Sequence, residues 1–230
     1  MNLLICGVLF LLNIDRACVQ ETTKHIENSP ITGENNLTAK FEKEQQFKTL
    51  FITFRREHYH ALQNIKNLQT YERQYEMISI IIDRMVKIIT EKRKIFESFQ
   101  DELDKDFFSD VNKTDALFAL SENTALFSDI VLQIPEITHR ILKKQKIWFD
   151  SLKWSLIFIN KNRYLLDQST TAILELALQE LNIVTRTPNY SNPYVQNKKG
   201  RPSVKGSNSE KQRKTIKKHK PGPQIARIEL

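Results

Sequence analysis

The chain has 230 residues, 40% of them apolar and 27% charged, with a formal net charge of +8. That length suffices for one ordinary domain plus appendages, with a core that needs no disulfide support. Both cysteines, Cys6 and Cys18, lie near the start, so from Val19 onward there is no disulfide framework, thiol nucleophile or thiolate zinc site.

The chain opens on an apolar run, Leu3 to Leu12. It is too short to span a bilayer, which takes roughly 20 residues, and it fits the central region of a secretory signal peptide. A signal peptide is therefore expected over residues 1–18, with cleavage near Ala17 or Cys18. Residues 19–40 are polar and contain Pro30 and Gly33. They are expected to be a disordered lead-in.

A helical bundle is expected over residues 41–187. Phe47, Leu50, Phe51, Phe54, Ala61, Leu62, Ile65 and Leu68 recur at helical spacing, interrupted near Asn64 to Asn67. Tyr75, Ile78, Ile82, Met85 and Ile89 follow at alternating steps of three and four. Ile80, Ile81, Val86 and Ile88 widen that face beyond a two-stranded coiled-coil seam, which points to a helix buried in a bundle. An acidic connector, Gln100 to Thr114, carries Phe107 and Phe108, a pair suited to pinning it to the core.

A helix is then expected from Ala116 to Ile134. Within it Leu126, Phe127, Ile130, Val131 and Ile134 share a face, Asn123 or Thr124 is a candidate cap, and Pro135 sets a boundary. The stretch is expected to be a buried helix at the centre of the bundle, with the polar edge of Glu122, Asn123 and Asp129 as the alternative reading, a candidate surface for a partner. After Pro135, Ile137, Ile141 and Leu142 mark a short lysine-rich helix. In the aromatic stretch that follows, Trp154 and Phe158 are i, i+4 neighbours on one face. A last helix, capped by Ser169 or Thr170, runs through Leu174, Ala177, Leu178 and Leu181. Positions 34 to 199 hold no glycine, and Pro135 is the only proline between Ile31 and Thr187. Phosphate-binding glycine loops are excluded there, and tight hairpin turns that need positive φ would be hard to make. The expected fold is all-α, a bundle of five or six helices with a disordered basic C-terminal tail.

Catalytic equipment is missing. His58 and His60 are two apart on a helix and point in different directions, and no H-E-x-x-H occurs. His139 has no nucleophile partner in the sequence and is expected to be structural. Asp101, Glu102, Asp104 and Asp106 lack the pattern of a calcium loop. The expectation is a non-enzymatic protein with no cofactor and no metal.

The tail is expected over residues 188–230. From Gln196 onward eleven Lys and Arg face Glu210 and Glu229, a net of +9 that leaves the other 195 residues at about −1. Such a composition cannot bury enough surface to offset its ordering entropy. The run Lys211 to Lys220 suits an acidic partner, and the ending Arg227-Ile228-Glu229-Leu230 shares the terminal Glu-Leu of the K-D-E-L retrieval signal. Three sequons, at Asn36, Asn112 and Asn189, are candidate glycosylation sites expected in linkers or loops.

The run Glu122-Asn123-Thr124-Ala125-Leu126-Phe127-Ser128-Asp129-Ile130-Val131-Leu132 resembles the E-N-T-A-F-F-G-D-V-V-L run of the coiled-coil domain-containing protein 134 family. Pro135, His139, the Trp148 region, Trp154, Ala177 to Leu181, Asn192-Pro193-Tyr194, Gly222-Pro223 and the closing Glu-Leu follow in the same order. The family's sequon after the tryptophan segment is absent here, because Asn160-Lys161-Asn162 has no Ser or Thr in place. The resemblance implies a helical, signal-bearing, non-enzymatic protein of the endoplasmic reticulum lumen or extracellular space. It further implies help in maturing the lumenal heat-shock-90-class chaperone without excess glycosylation, and damping of mitogen-activated kinase signalling. Partners would then be that chaperone or the glycosylation machinery. A secreted cytokine-like helical ligand and a nuclear or nucleic-acid-associated protein using the basic tail are the competing expectations, each placing the charge in a different setting.

Overall fold

The computed structural model describes residues 33–97 and 107–195, with side chains from Thr38 onward. The expected signal peptide, the lead-in as far as Thr32, the acidic residues 101–106, the basic run and the Arg227–Leu230 ending lie outside the described residues. The described part is all-α. Its six helices are α1 (Gly33–Lys66), α2 (Tyr71–Glu97), α3 (Val111–Gln133), α4 (Pro135–Lys144), α5 (Lys146–Lys161) and α6 (Gln168–Glu180), with a 3-10 turn, Arg163–Leu165, before the last.

Helix α1 starts at Gly33, inside the stretch expected to be lead-in, and runs unbroken for 34 residues. Its buried positions include Phe47, Phe51, Phe54, His58, Leu62 and Ile65, at steps of four, three, four, four and three, with Ala61 beside them. That register puts them on one stripe. A short link, 67–70, returns the chain into α2, whose Ile78, Ile81, Ile82, Met85 and Ile89 are buried against α3 and the shorter helices. Ahead of α3, Phe107 and Phe108 are both buried. Phe107 meets Phe96 edge-on at 5.9 Å and Phe108 meets Phe47 at 5.9 Å. The aromatic pair thus pins the connector, as its composition suggested.

Helix α3 begins at Val111, five residues before its expected start. Asp110 is the cap, its side chain accepting from the Asn112 N–H at 2.7 Å. Asn123 and Thr124 are therefore mid-helix and not caps. Helix α3 packs against all five other described helices. Phe47 touches Phe118 near one end, and Lys66 reaches Gln133 at the other, so α1 and α3 run parallel. Phe127, Ile130, Val131 and Leu132 are fully enclosed. Burying side chains of this size contributes about 1.5–3 kcal/mol each.

Pro135 ends α3 and opens α4 at its first position, where a missing N–H costs nothing and the fixed φ suits a helix. Helix α5 runs along the C-terminal half of α2, through contacts of Ser151 with Thr90 and of Phe158 with Phe96. Trp154 and Phe158 stack at 5.0 Å, with the Arg93 guanidinium 4.9 Å from the indole centroid. Helix α6 is capped by Asp167, one turn before the expected Ser169 or Thr170. It ends without glycine. Asn182 takes a left-handed φ of 54°, and the N–H groups of Asn182 and Ile183 turn back to the carbonyls of Gln179 and Leu178 at 3.1 and 2.9 Å. This is a Schellman end, with asparagine in the place glycine usually fills.

Residues 188–195, expected to begin the disordered tail, pack back onto the bundle. The Tyr190 hydroxyl donates to Glu180 at 2.7 Å, and the Asn192 amide donates to the Leu132 carbonyl at 2.9 Å.

Candidate functional site

The polar edge of α3 lies inside the molecule. Glu122, Asn123 and Asp129 keep only 8%, 3% and 6% of their surface, so they are not an exposed partner surface. Their register resembles a solvent face in isolation, but this part of α3 is covered: Glu122 and Asp129 meet polar residues of α1, and the Asn123 amide donates to the Ala119 carbonyl of its own helix at 2.8 Å.

Two carboxylates of α3 meet basic side chains of α1. Arg55 Nη1 donates to Asp129 Oδ2 at 2.5 Å, and His58 Nε2 lies 3.2 Å from Glu122 Oε1. His58 Nδ1 has no partner among the described residues. Arg55 also reaches α6, where its Nε donates to the Thr170 hydroxyl at 3.1 Å. That hydroxyl in turn donates to Asp167 at 2.6 Å. Asp129, Arg55, Thr170 and Asp167 thus form a chain of charge-assisted contacts joining α3, α1 and the start of α6.

The neighbours shape the ionisation of this chain. Burial opposes the Asp167 carboxylate. Hydrogen bonds from Ser169 and Thr170, with the Arg55 charge behind them, outweigh it and hold the carboxyl below its ordinary value of 3.8. Burial and then the Asp129 charge push the Tyr194 phenol up, against Arg55. Burial, followed by the hydrogen bond to Glu180, pushes Tyr190 well above the ordinary tyrosine range. Each carboxylate in the chain is engaged by a cation or a hydroxyl.

Arg55 was not singled out from the sequence, His58 was weighed only as a metal partner of His60, and Thr170 only as a helix cap. The available signal was His58 itself, which occupies a position where the α1 stripe calls for an apolar side chain. His139 is half-exposed and lies 3.3 Å from Glu180. Among the described residues no three His, Cys, Asp or Glu side chains converge to hold a metal ion. No described helix is long and apolar enough to cross a membrane.

The three sequons fall in different settings. Asn36 lies within α1, not in a linker. Asn112 is exposed in the first turn of α3, not in a loop, and its partner Thr114 donates to the Phe107 carbonyl at 2.7 Å. Asn189 is exposed in a turn closed by the Tyr190 N–H on the Thr187 carbonyl at 2.9 Å.

A family model described as "ERK and JNK pathways, inhibitor" matches residues 33–226. The chain belongs to that family. Among its relatives, coiled-coil domain-containing protein 134 of Xenopus tropicalis is 31% identical over 148 residues, covering 64% of this chain and 65% of the relative. The Mus musculus protein of the same name is 28% identical over 148 residues with the same coverage. The chain therefore spans 65% of the length of these relatives. No solved structure matches. The family's matched span takes in all six described helices, so the enclosed α3 and its contacts with Arg55 and His58 belong to the family region of this chain.

Proposed function

We propose that this chain damps signalling through the ERK and JNK pathways by binding protein partners, without catalysing a reaction. The family match over residues 33–226 carries this reading. The engagement of Asp129, Glu122 and Asp167 by Arg55, His58 and Thr170 supports a scaffold over an active site. The test is expression of the full chain in growth-factor-stimulated and stress-stimulated cells. Phosphorylated ERK and JNK should both fall relative to cells without it, and unchanged levels of both would sink the reading.

We place this activity in the secretory pathway. The apolar run Leu3 to Leu12 supports a signal peptide, and the Arg227–Leu230 ending supports retrieval to the endoplasmic reticulum. Asn36, Asn112 and Asn189 are then candidate glycan carriers. On the family resemblance, the lumenal partner is the heat-shock-90-class chaperone, whose excess glycosylation the chain limits. Glycosidase digestion combined with cell fractionation tests the placement. A glycosidase-insensitive protein found wholly in cytosol or nucleus would overturn it.

A further inference from the structure

Gln145, with φ −116° and ψ 73°, breaks the helical path between α4 and α5. Lys143 and Lys144 end α4, and Lys146 and Ile147 begin α5. All four side chains are exposed. Ile147 keeps 78% of its surface in water and is the most exposed large apolar side chain among the described residues.

Among the described residues the three lysines of this corner hold no carboxylate in an ion pair. Lys144 sits 5.5 Å from the Tyr75 ring centroid, and Arg140 sits 5.8 Å from that of Tyr71, so aromatic rings of α2 steady two cations without neutralising them. The nearest acids in sequence are Glu136 and Asp150, each about one helical turn from a cation. Elsewhere on the surface Lys48, Lys87, Arg93 and Arg163 each hold a carboxylate, at 2.6, 2.6, 2.6 and 2.8 Å.

We propose that the α4–α5 corner docks an acidic protein surface that carries a pocket for one branched aliphatic side chain. Ile147 is the anchor, and Lys143, Lys144 and Lys146 form the charged rim around it. The inference rests on the reading that the chain acts by binding proteins in ERK and JNK signalling, and it names the surface used. The charge selects an acidic partner and speeds its encounter, while the isoleucine selects a protein. A sulfated glycan would use the lysines and gain nothing from Ile147. Enclosing one isoleucine in a pocket raises affinity roughly ten- to a hundredfold.

The test uses the full chain in stimulated cells, with phosphorylated ERK and JNK as readout. One variant carries Lys143→Glu, Lys144→Glu and Lys146→Glu, and a second carries Ile147→Asp. A control carries Lys161→Glu and Arg163→Glu. Thermal melts check that each variant folds, which exposed positions should permit. Both corner variants should need about tenfold more protein for the same damping, and the control should match the parent. Damping by the parent with equal damping by folded corner variants overturns this surface and leaves the general reading standing. Absence of damping by the parent overturns the general reading instead. The surface is then judged by a benzophenone amino acid placed at position 147, with position 111 as reference. Protein adducts at 147 that diminish with added salt and with the lysine variant support it, and no adduct above reference overturns it. Loss on the lysine variant alone, with Ile147→Asp unaffected and heparin competing, marks a glycan site and also overturns it.

Discussion

The Asn192 side chain bridges two backbone sites. Its amide donates to the Leu132 carbonyl at 2.9 Å, 60 residues earlier, while its oxygen accepts from the Tyr194 N–H at 3.0 Å. Leu132 lies in the last turn of α3, where carbonyls run out of helical N–H partners and Pro135 supplies none. One side chain thus finishes the central helix and fixes the segment that follows α6. Replacing Asn192 with Ala should lower stability by about 1 kcal/mol in urea denaturation. Amides of residues 190–195 should exchange faster in the variant, while those of α2 should change only in step with global stability.

Arg55 and Asp129 form a mostly buried pair, and removing one partner strands the other. Asp129→Ala should cost about 3 kcal/mol or more, and Arg55→Met a comparable amount. A double variant, Arg55→Met with Asp129→Ala, should be less destabilised than the sum of the single changes. A double-mutant cycle from urea denaturation provides the check, and strict additivity would mean that the pair contributes no coupling.

Asp167 links acid stability to the cap of α6. Its folded carboxyl titrates below the ordinary value of 3.8, so the folded state takes up that proton less readily than the unfolded chain. The sign follows from linkage: its contribution is full above the unfolded value and fades as pH falls through the folded one. Asp167→Asn should therefore flatten the acid limb of stability below about pH 4 while keeping much of the cap at pH 7. Melting temperatures across pH 2.5 to 7, compared between the parent and the variant, measure it.

Asn182 occupies left-handed backbone that β-branched residues resist. Asn182→Val should cost about 1–2 kcal/mol, whereas Asn182→Gly should be neutral or slightly stabilising. Thermal melts of the two variants separate this backbone effect from loss of a side-chain contact, because Gly also removes the side chain.

The helical class was legible because the sequence withholds glycine and proline between Gly33 and Pro188 except at Pro135. The position of Pro135 marked the junction of α3 and α4, and the i, i+4 spacing of Trp154 and Phe158 marked a shared face. The polar residues of α3 were misread for a physical reason. Period alone separates polar from apolar faces, but it does not show whether a polar face meets water or another helix. The partners of Glu122 and Asp129 are His58 and Arg55, 64 and 74 residues away. The start of α1 was missed because Gly33 stands at its first position, where glycine's cost in a helix is small. The segment after Pro188 was missed because its order comes from Tyr190 and Asn192 reaching distant groups, not from local periodicity.

The enclosure of α3 bears on how this protein can be shortened. Every other described helix packs on α3, so a fragment lacking residues 111–133 loses the one surface that all five share, and α3 alone would expose Phe127, Ile130 and Leu132 to water. No single helix of this body will stand in for the whole. Cleavage between α2 and α3 should leave two pieces that hold together as one complex or unravel together.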